Sequence, residues 1–97
     1  MPQISILYPE EDRRTVQIPD AGLLIGREPS CDLCLTDEFV SAKHCKIFSE
    51  NGTFFLEDLG STNGTTIDGM EVEEKSVLKE GQSIQIGITV MKFHLSL

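Results

Sequence analysis

The chain has 97 residues, with 16 acidic and 8 basic side chains and a net charge of −8 at pH 7. This length predicts one domain spanning residues 1–97, and an apolar fraction of 39% is enough for a single hydrophobic core. The acidic balance disfavours nucleic acid and anionic membranes as partners, because both are bound through basic protein surfaces.

Short apolar or alternating runs recur along the chain and are typical of β-strands. In chain order they cover residues 3–8, 15–18, 23–26, 32–35, 44–49, 53–58, 65–67, 83–87 and 90–96. Turn sequences rich in Gly, Pro, Asn and Asp separate them, and Asn51-Gly52 is the signature of a two-residue hairpin. The run MEVEEKSVL (70–78) comes nearest to a helical period, but it is short. The pattern therefore predicts an all-β, two-sheet sandwich.

Three cysteines raise the question of a zinc or redox site. Cys31-x-x-Cys34 followed by His44-Cys45 contains the ligand types of a Cys₃His zinc set. However, there is no second CxxC and no glycine near the first, and a strand would direct the pair to different sides. No helical pattern follows the CxxC, as a redox motif would require. We interpret the cysteines as structural thiols and expect no metal or cofactor.

An odd number of cysteines also suits a reducing compartment better than a disulfide framework. No apolar run approaches the roughly 18 residues of a membrane span, and no basic-then-apolar leader precedes the first predicted strand. We therefore expect a soluble, cytoplasmic protein.

Three loops carry more polar chemistry than plain turns need. The first loop follows LLIG (23–26) and presents Arg27. The second, EFVSAKH (38–44), carries Ser41, Lys43 and His44. The third, DLGSTNGTTIDG (58–69), carries Thr62 and Asn63. Loops at one end of a sandwich cluster in space although they are distant in sequence. An arginine fork, a hydroxyl, a lysine and glycine-rich backbone N–H groups suit a phosphate, and Asn63 suits a peptide backbone. The sequence therefore predicts a site for an anion and a peptide.

Ser41 and His44 also admit an enzymatic interpretation, as a nucleophile and its base. Their i, i+3 spacing across a turn into a strand provides no oriented triad, and no acid stands in an obvious supporting position. We therefore expect a binding protein and not an enzyme.

Taken together, five motifs resemble the forkhead-associated (FHA) family, and they occur in that family's order and spacing. They are LIGR (24–27), CDLCL (31–35), VSAKH (40–44), EDLGSTNGTTIDG (57–69) and LKEGQSIQIG (78–87). The resemblance implies a β-sandwich of eleven strands that binds phosphothreonine in an extended peptide. It also implies a role in Ser/Thr kinase signalling, with the kinase or its phosphorylated substrate as the partner. The alternative is a phosphate-independent interaction scaffold with the same fold.

The resemblance further implies a role for each polar residue of the loops. Arg27 and Ser41 would hold the phosphate oxygens, and Lys43 would be a second cation nearby. Thr62 would line the phosphothreonine contact, and Asn63 would hydrogen-bond the peptide backbone. Three residues would shape the site, the glycines by permitting tight backbone and the histidine by bonding the neighbouring loop: Gly26, His44 and Gly64.

Phe39 departs from one feature of the family. It stands where some members have an arginine that favours an acidic side chain three residues after the phosphothreonine. Because Asp37 and Glu38 adjoin it, we expect an apolar or neutral preference at that peptide position.

Overall fold

The computed structural model describes residues 1–95, and within them eleven strands form two sheets. The strands are β1 (Gln3–Tyr8), β2 (Arg14–Gln17), β3 (Leu23–Gly26), β4 (Leu33–Cys34), β5 (Cys45–Glu50), β6 (Thr53–Asp58), β7 (Thr65–Ile67), β8 (Met70–Glu71), β9 (Lys75–Leu78), β10 (Ser83–Ile86) and β11 (Thr89–His94). A 3₁₀ turn at Glu10–Asp12 joins β1 to β2. The predicted all-β sandwich of about eleven strands is confirmed.

The two sheets pack face to face around one core. The first has the strand order β2-β1-β11-β10-β7-β8 and the second β4-β3-β5-β6-β9. Neighbouring strands are antiparallel except β3 and β4, which are parallel. Alternation decides which side chains enter the core: Ile84 and Ile86 are fully buried, while Gln85 between them is exposed. The largest fully buried side chains are Phe93, Ile4, Ile6, Ile18, Leu23, Ile25, Leu33, Leu35, Ile47, Leu56, Ile84 and Ile86.

Most of the predicted strands are confirmed within one or two residues. β1, β3, β6 and β7 have the predicted bounds, whereas β4 is shortened to two residues and β11 runs from Thr89 to His94. Ser96, at the end of the last predicted strand, lies outside the described residues. The prediction missed β8 and β9, which lie within residues 70–78. Both are short, and β9 is defined by its pairing with β6 rather than by its own alternation.

Two Asn-Gly turns adopt different conformations. Asn51 and Gly52 both have positive φ, 52° and 82°, and they join Glu50 to Thr53 as a two-residue hairpin, which confirms that prediction. At the second turn, Asn63-Gly64, the glycine has a positive φ of 85° and the asparagine does not. Asn63-Gly64 is therefore not a hairpin of this kind and belongs to a longer, differently supported loop.

Strand register brings the three polar loops to one end of the second sheet. Ile25, near the end of β3, is opposite Cys45 at the start of β5, which is in turn opposite Asp58 at the end of β6. The loop after β3, the loop before β5 and the loop after β6 therefore leave the sheet side by side. A search of residues 1–95 finds no helix that is long and apolar enough to span a membrane.

Candidate functional site

The backbone of the first loop pairs directly with the second. Arg27 N–H donates to the Ser41 carbonyl at 3.0 Å, and Glu28 N–H donates to the Ala42 carbonyl at 3.1 Å. A Cβ atom on Gly26 would lie 2.2 Å from the Ala42 carbonyl oxygen, so no larger residue fits this close approach. Gly26 thus allows the two loops to meet with Arg27 beside Ser41.

The Ser41 hydroxyl connects the second loop to the third. Its Oγ accepts a hydrogen bond from Thr62 N–H at 3.1 Å. A hydroxyl that accepts in this way still has its own O–H to donate. Residues 27, 41 and 62, which are distant in sequence, are therefore joined by two short contacts through Ser41.

His44 is fully buried behind these loops and bridges the second to the third. Its Nδ1 accepts from Ser41 N–H at 3.0 Å, and its Nε2 lies 2.9 Å from the Gly64 carbonyl oxygen. An atom that accepts from a backbone N–H carries no proton, so Nε2 must be the protonated nitrogen that donates to Gly64. Both ring nitrogens are thus used in holding the loops, and neither is directed at the Ser41 hydroxyl as a catalytic base would be.

The Asp58 carboxylate supports the third loop from inside. One oxygen accepts from Gly60 N–H and Ser61 N–H, both at 3.1 Å, and the other accepts from the Ser61 and Thr65 hydroxyls at 2.6 and 2.7 Å. Partial burial raises the pKa of Asp58, but these hydrogen bonds outweigh it, so the pKa is lowered. Asp58 is not among the site residues predicted from the sequence, although an aspartate directly before a glycine-rich loop is a known turn signal.

Asn63 and Lys43 complete the predicted set. The Asn63 side-chain amide donates to the Phe39 carbonyl at 2.8 Å, which links the third loop to the second. Lys43 is exposed. Burial and the charge of Glu28 raise the pKa of the Cys31 thiol, and the positive charge of Lys43 acts in the opposite direction. Within residues 1–95 neither Lys43 nor Arg27 forms a salt bridge, so both cations are available to an anion.

An open cleft of about 410 Å³, the apolar cleft, adjoins this cluster. Its most exposed apolar side chains are Phe39 and Ile88, with 47% and 48% of their surface accessible. Its lining consists of Phe39, Asn63, Gly64, Thr66, Gln85, Gly87 and Ile88. The first three of these are residues that the sequence already points to, whereas the last four come from strands and a turn of the other sheet.

The three cysteines are free thiols, and two of them donate hydrogen bonds to loop carbonyls. Cys31 donates to the Ala42 carbonyl at 3.2 Å and Cys34 to the Arg27 carbonyl at 3.3 Å, so the two thiols serve different loops. Cys45 is buried in the core, and burial raises the pKa of its thiol. In the described part of the chain, no cluster of three or more His, Cys, Asp or Glu side chains could hold a metal ion.

Comparison with known families and proteins agrees with this architecture. Residues 23–87 match the family model described as the FHA domain, and the chain belongs to that family. The FHA domain-containing protein FhaB of Mycolicibacterium smegmatis is 37% identical over 77 residues, which are 79% of this chain and 50% of that protein. The chain thus spans about half the length of the curated relatives it matches first.

Two solved structures are similar along nearly the whole chain. One is the FHA domain of FhaA complexed with the intracellular domain of a second protein; its TM-score is 0.87 at 28% identity, covering 97% of this chain and 100% of that one. The other comes from a structural and functional analysis of phosphothreonine-dependent FHA domain interactions. Its TM-score is 0.89 at 27% identity, covering 99% of this chain and 97% of that one.

Proposed function

We propose that this FHA domain is a binding module that recognises phosphothreonine in an extended segment of a partner protein. The partner is a Ser/Thr kinase or a substrate that such a kinase has phosphorylated. The chain acts in the cytoplasm as one domain, and its role is to bind a phosphorylated site rather than to catalyse a reaction.

The observation that carries this proposal is the junction of three loops at Ser41. Because Ser41 contacts Arg27 through its carbonyl and Thr62 through its hydroxyl, the Arg27 and Ser41 side chains start from neighbouring backbone, and the Arg27 guanidinium and the Ser41 O–H are available to donate. These are the donors that phosphate oxygens accept from, and a planar guanidinium can bind two oxygens at once. In our proposal Arg27 and Ser41 hold the phosphate, and Thr62 lines the contact with the threonine.

The neighbouring residues complete the proposed binding site. Lys43 supplies a second positive charge, and Asn63 hydrogen-bonds the peptide backbone with the amide capacity left after its contact with Phe39. Gly26, His44 and Gly64 keep the loops at the required separation through the close approach and hydrogen bonds described above.

The expected affinity follows from the number of charged contacts. Hydrogen bonds to charged groups contribute roughly 1.5–3 kcal/mol each. Three or four of them, less about 4 kcal/mol or more for lost rigid-body freedom, leave a few kcal/mol, to which backbone pairing and side-chain contacts add. We therefore expect a dissociation constant in the micromolar range, which corresponds to a binding free energy of about −8 kcal/mol.

The apolar cleft suggests what the peptide carries beyond the phosphothreonine. Phe39 and Ile88 are half exposed on its walls, and no basic side chain lines it. An acidic peptide side chain would find no cation there, whereas an aliphatic one would bury apolar surface. We therefore place an apolar or neutral residue three positions after the phosphothreonine. A peptide array in which acidic residues bind best at that position would contradict this assignment.

The test is a degenerate phosphothreonine peptide screen on the wild type and on Arg27→Ala. The wild type should select phosphorylated peptides, and Arg27→Ala should lose measurable binding. Lys79→Ala is the matched control, because it removes the same charge from a turn after β9, at the opposite end of the second sheet. Equal binding of phosphorylated and unphosphorylated peptides would overturn the proposal and favour the phosphate-independent scaffold.

A further inference from the structure

A second cleft, of about 330 Å³, continues from the apolar cleft on the far side of Phe39 and Ile88. These two half-exposed side chains line both clefts, so a chain that crosses them passes directly from one to the other. Tyr8, which is 53% exposed, and Pro9 also line this cleft. We call this the acidic cleft because four carboxylates and no basic side chain line it: Glu11, Asp12, Asp37 and Glu38.

The four carboxylates differ in their availability. Asp12 pairs with Arg14 at 3.1 Å, and the Asp37 oxygens accept four hydrogen bonds from neighbouring groups of the protein. Glu11 and Glu38 are exposed, and within residues 1–95 neither forms a salt bridge. The cleft therefore presents two carboxylates that remain uncompensated beside the exposed ring of Tyr8.

The walls of the acidic cleft are held in place by Asp37. Its Oδ1 accepts from Phe39 N–H at 2.9 Å, and its Oδ2 accepts from Ile88 N–H at 2.7 Å. The same oxygen also accepts from the backbone and hydroxyl of Thr89. The β4–β5 loop and the β10–β11 turn are thereby connected, so the cleft is formed before any ligand arrives.

We propose that the acidic cleft binds a basic side chain of the same phosphopeptide, at the fifth residue after the phosphothreonine; this inference rests on the proposed function. Successive side chains of an extended peptide alternate in direction, and two residues span about 6–7 Å. If the third residue lies against Phe39 in the apolar cleft, the fifth faces the protein again, beyond Phe39 and in the acidic cleft.

An arginine fits the chemistry of this cleft in three ways. Its methylene stem can lie along the apolar side chains, and its guanidinium can contact the face of Tyr8. The same guanidinium can reach the carboxylates of Glu11 and Glu38. The ligand that complements the whole surface thus carries a phosphate that binds Arg27 and a positive charge some residues later. That positive charge is attracted by a protein whose net charge is −8.

The experiment compares peptides that differ only at the fifth position. Each carries phosphothreonine, isoleucine three residues later, and arginine, glutamine or glutamate at the fifth position, with alanine elsewhere. We expect arginine to bind about three- to tenfold tighter than glutamine, as partly exposed ion pairs and cation–π contacts allow, and glutamate to bind weakest. Moving the arginine to the fourth or sixth position should remove the advantage.

Two double variants locate the effect. Glu11→Gln with Glu38→Gln should abolish the preference for arginine while the glutamine peptide binds as before. Asp20→Asn with Glu50→Gln removes the same charge from the opposite end of the second sheet and should leave the preference intact.

If phosphorylated peptides bind but arginine and glutamine are equal at the fifth position, or if the preference survives in the cleft variant, this inference fails and the proposed function stands. If binding does not depend on the phosphate at all, the proposed function fails and this inference with it.

Discussion

Ser41 contacts both neighbouring loops and the buried histidine, each through a different atom. Its carbonyl accepts from Arg27, its N–H donates to His44, and its hydroxyl accepts from Thr62. Two of these contacts are made by the backbone and survive any substitution of the side chain. The hydroxyl is thus the one part of Ser41 that can be removed while its loop stays attached.

We predict that Ser41→Ala weakens phosphopeptide binding by about tenfold to a hundredfold, because one hydrogen bond to a charged group is lost. Isothermal titration with a phosphothreonine peptide measures this. Stability should change little, since the backbone contacts remain. Ser49→Ala, on the exposed far part of β5, is the matched control and should bind as the wild type does. Unchanged affinity in Ser41→Ala would remove this residue from the proposed site.

His44 joins the second and third loops from their buried side. We predict that His44→Ala lowers the free energy of unfolding by about 2–4 kcal/mol, because it leaves Ser41 N–H and the Gly64 carbonyl without a partner and opens a cavity. Urea unfolding measures the loss. His94→Ala, on the last strand where the ring meets the exposed Glu80, should cost clearly less. Equal losses in the two variants would contradict the bridging role.

The third loop is an element built on one side chain. Asp58 is the last residue of β6. Its carboxylate accepts hydrogen bonds from the N–H groups of residues 60 and 61, which have no strand partner. Ser61 extends this support, because its hydroxyl also accepts from Gly64 N–H at 3.1 Å. The loop is therefore held by side-chain hydrogen bonds to its backbone and not by a two-residue turn.

We predict that Asp58→Ala frees this loop while the two sheets remain folded. Amide exchange at residues 60 and 61 should rise, and phosphopeptide affinity should fall by about tenfold or more, since the peptide must order the loop on binding. Hydrogen exchange measured by NMR, together with titration, checks both effects. Asp20→Ala, in an exposed turn between β2 and β3, is the control. Normal protection of the loop amides in Asp58→Ala would show that other contacts order the loop.

Across the whole molecule, Asp37 joins the two sheets at the binding end. It lies in the loop before β5 of the second sheet, and it accepts hydrogen bonds from the turn before β11 and the first residue of β11, in the first sheet. Burial raises the pKa of Asp37, but hydrogen bonds from Phe39, Ile88 and Thr89 outweigh it, so the pKa lies below its ordinary value. The folded protein thus holds this carboxylate ionised more strongly than the unfolded chain does.

The sign of the pH dependence follows from this lowered pKa. The unfolded chain binds the proton more readily, so the stabilisation from Asp37 is complete above about pH 4 and is lost as the pH falls through the folded pKa. We predict that Asp37→Asn lowers stability at pH 7 and shows a smaller further loss between pH 5 and pH 2 than the wild type. Urea titrations across that range measure both. A parallel loss in the two proteins would assign the acid sensitivity to other carboxylates.

Much of the fold and part of the site could be predicted from local sequence. The alternation in residues 83–87 and 90–96, the Asn51-Gly52 hairpin and the polar excess of the third loop are properties of neighbouring residues, so their structural meaning can be read without coordinates. β8 and β9 could not be predicted in this way, because residues 70–78 show no clear alternation and these strands are defined by the pairing of β8 with β7 and of β9 with β6.

The chemical groups and their order follow from the amino-acid sequence: a guanidinium at Arg27, a hydroxyl at Ser41, an amide at Asn63 and the strands between them. Which of their atoms meet depends on the fold. The register of β3, β5 and β6 brought those loops together, and the packing of the two sheets brought Asp37 and Ile88 to the same end. Hydrogen bonds act over about 3 Å, so the pairing of Asp37 with Ile88, 51 positions apart in the chain, cannot be read from neighbouring residues.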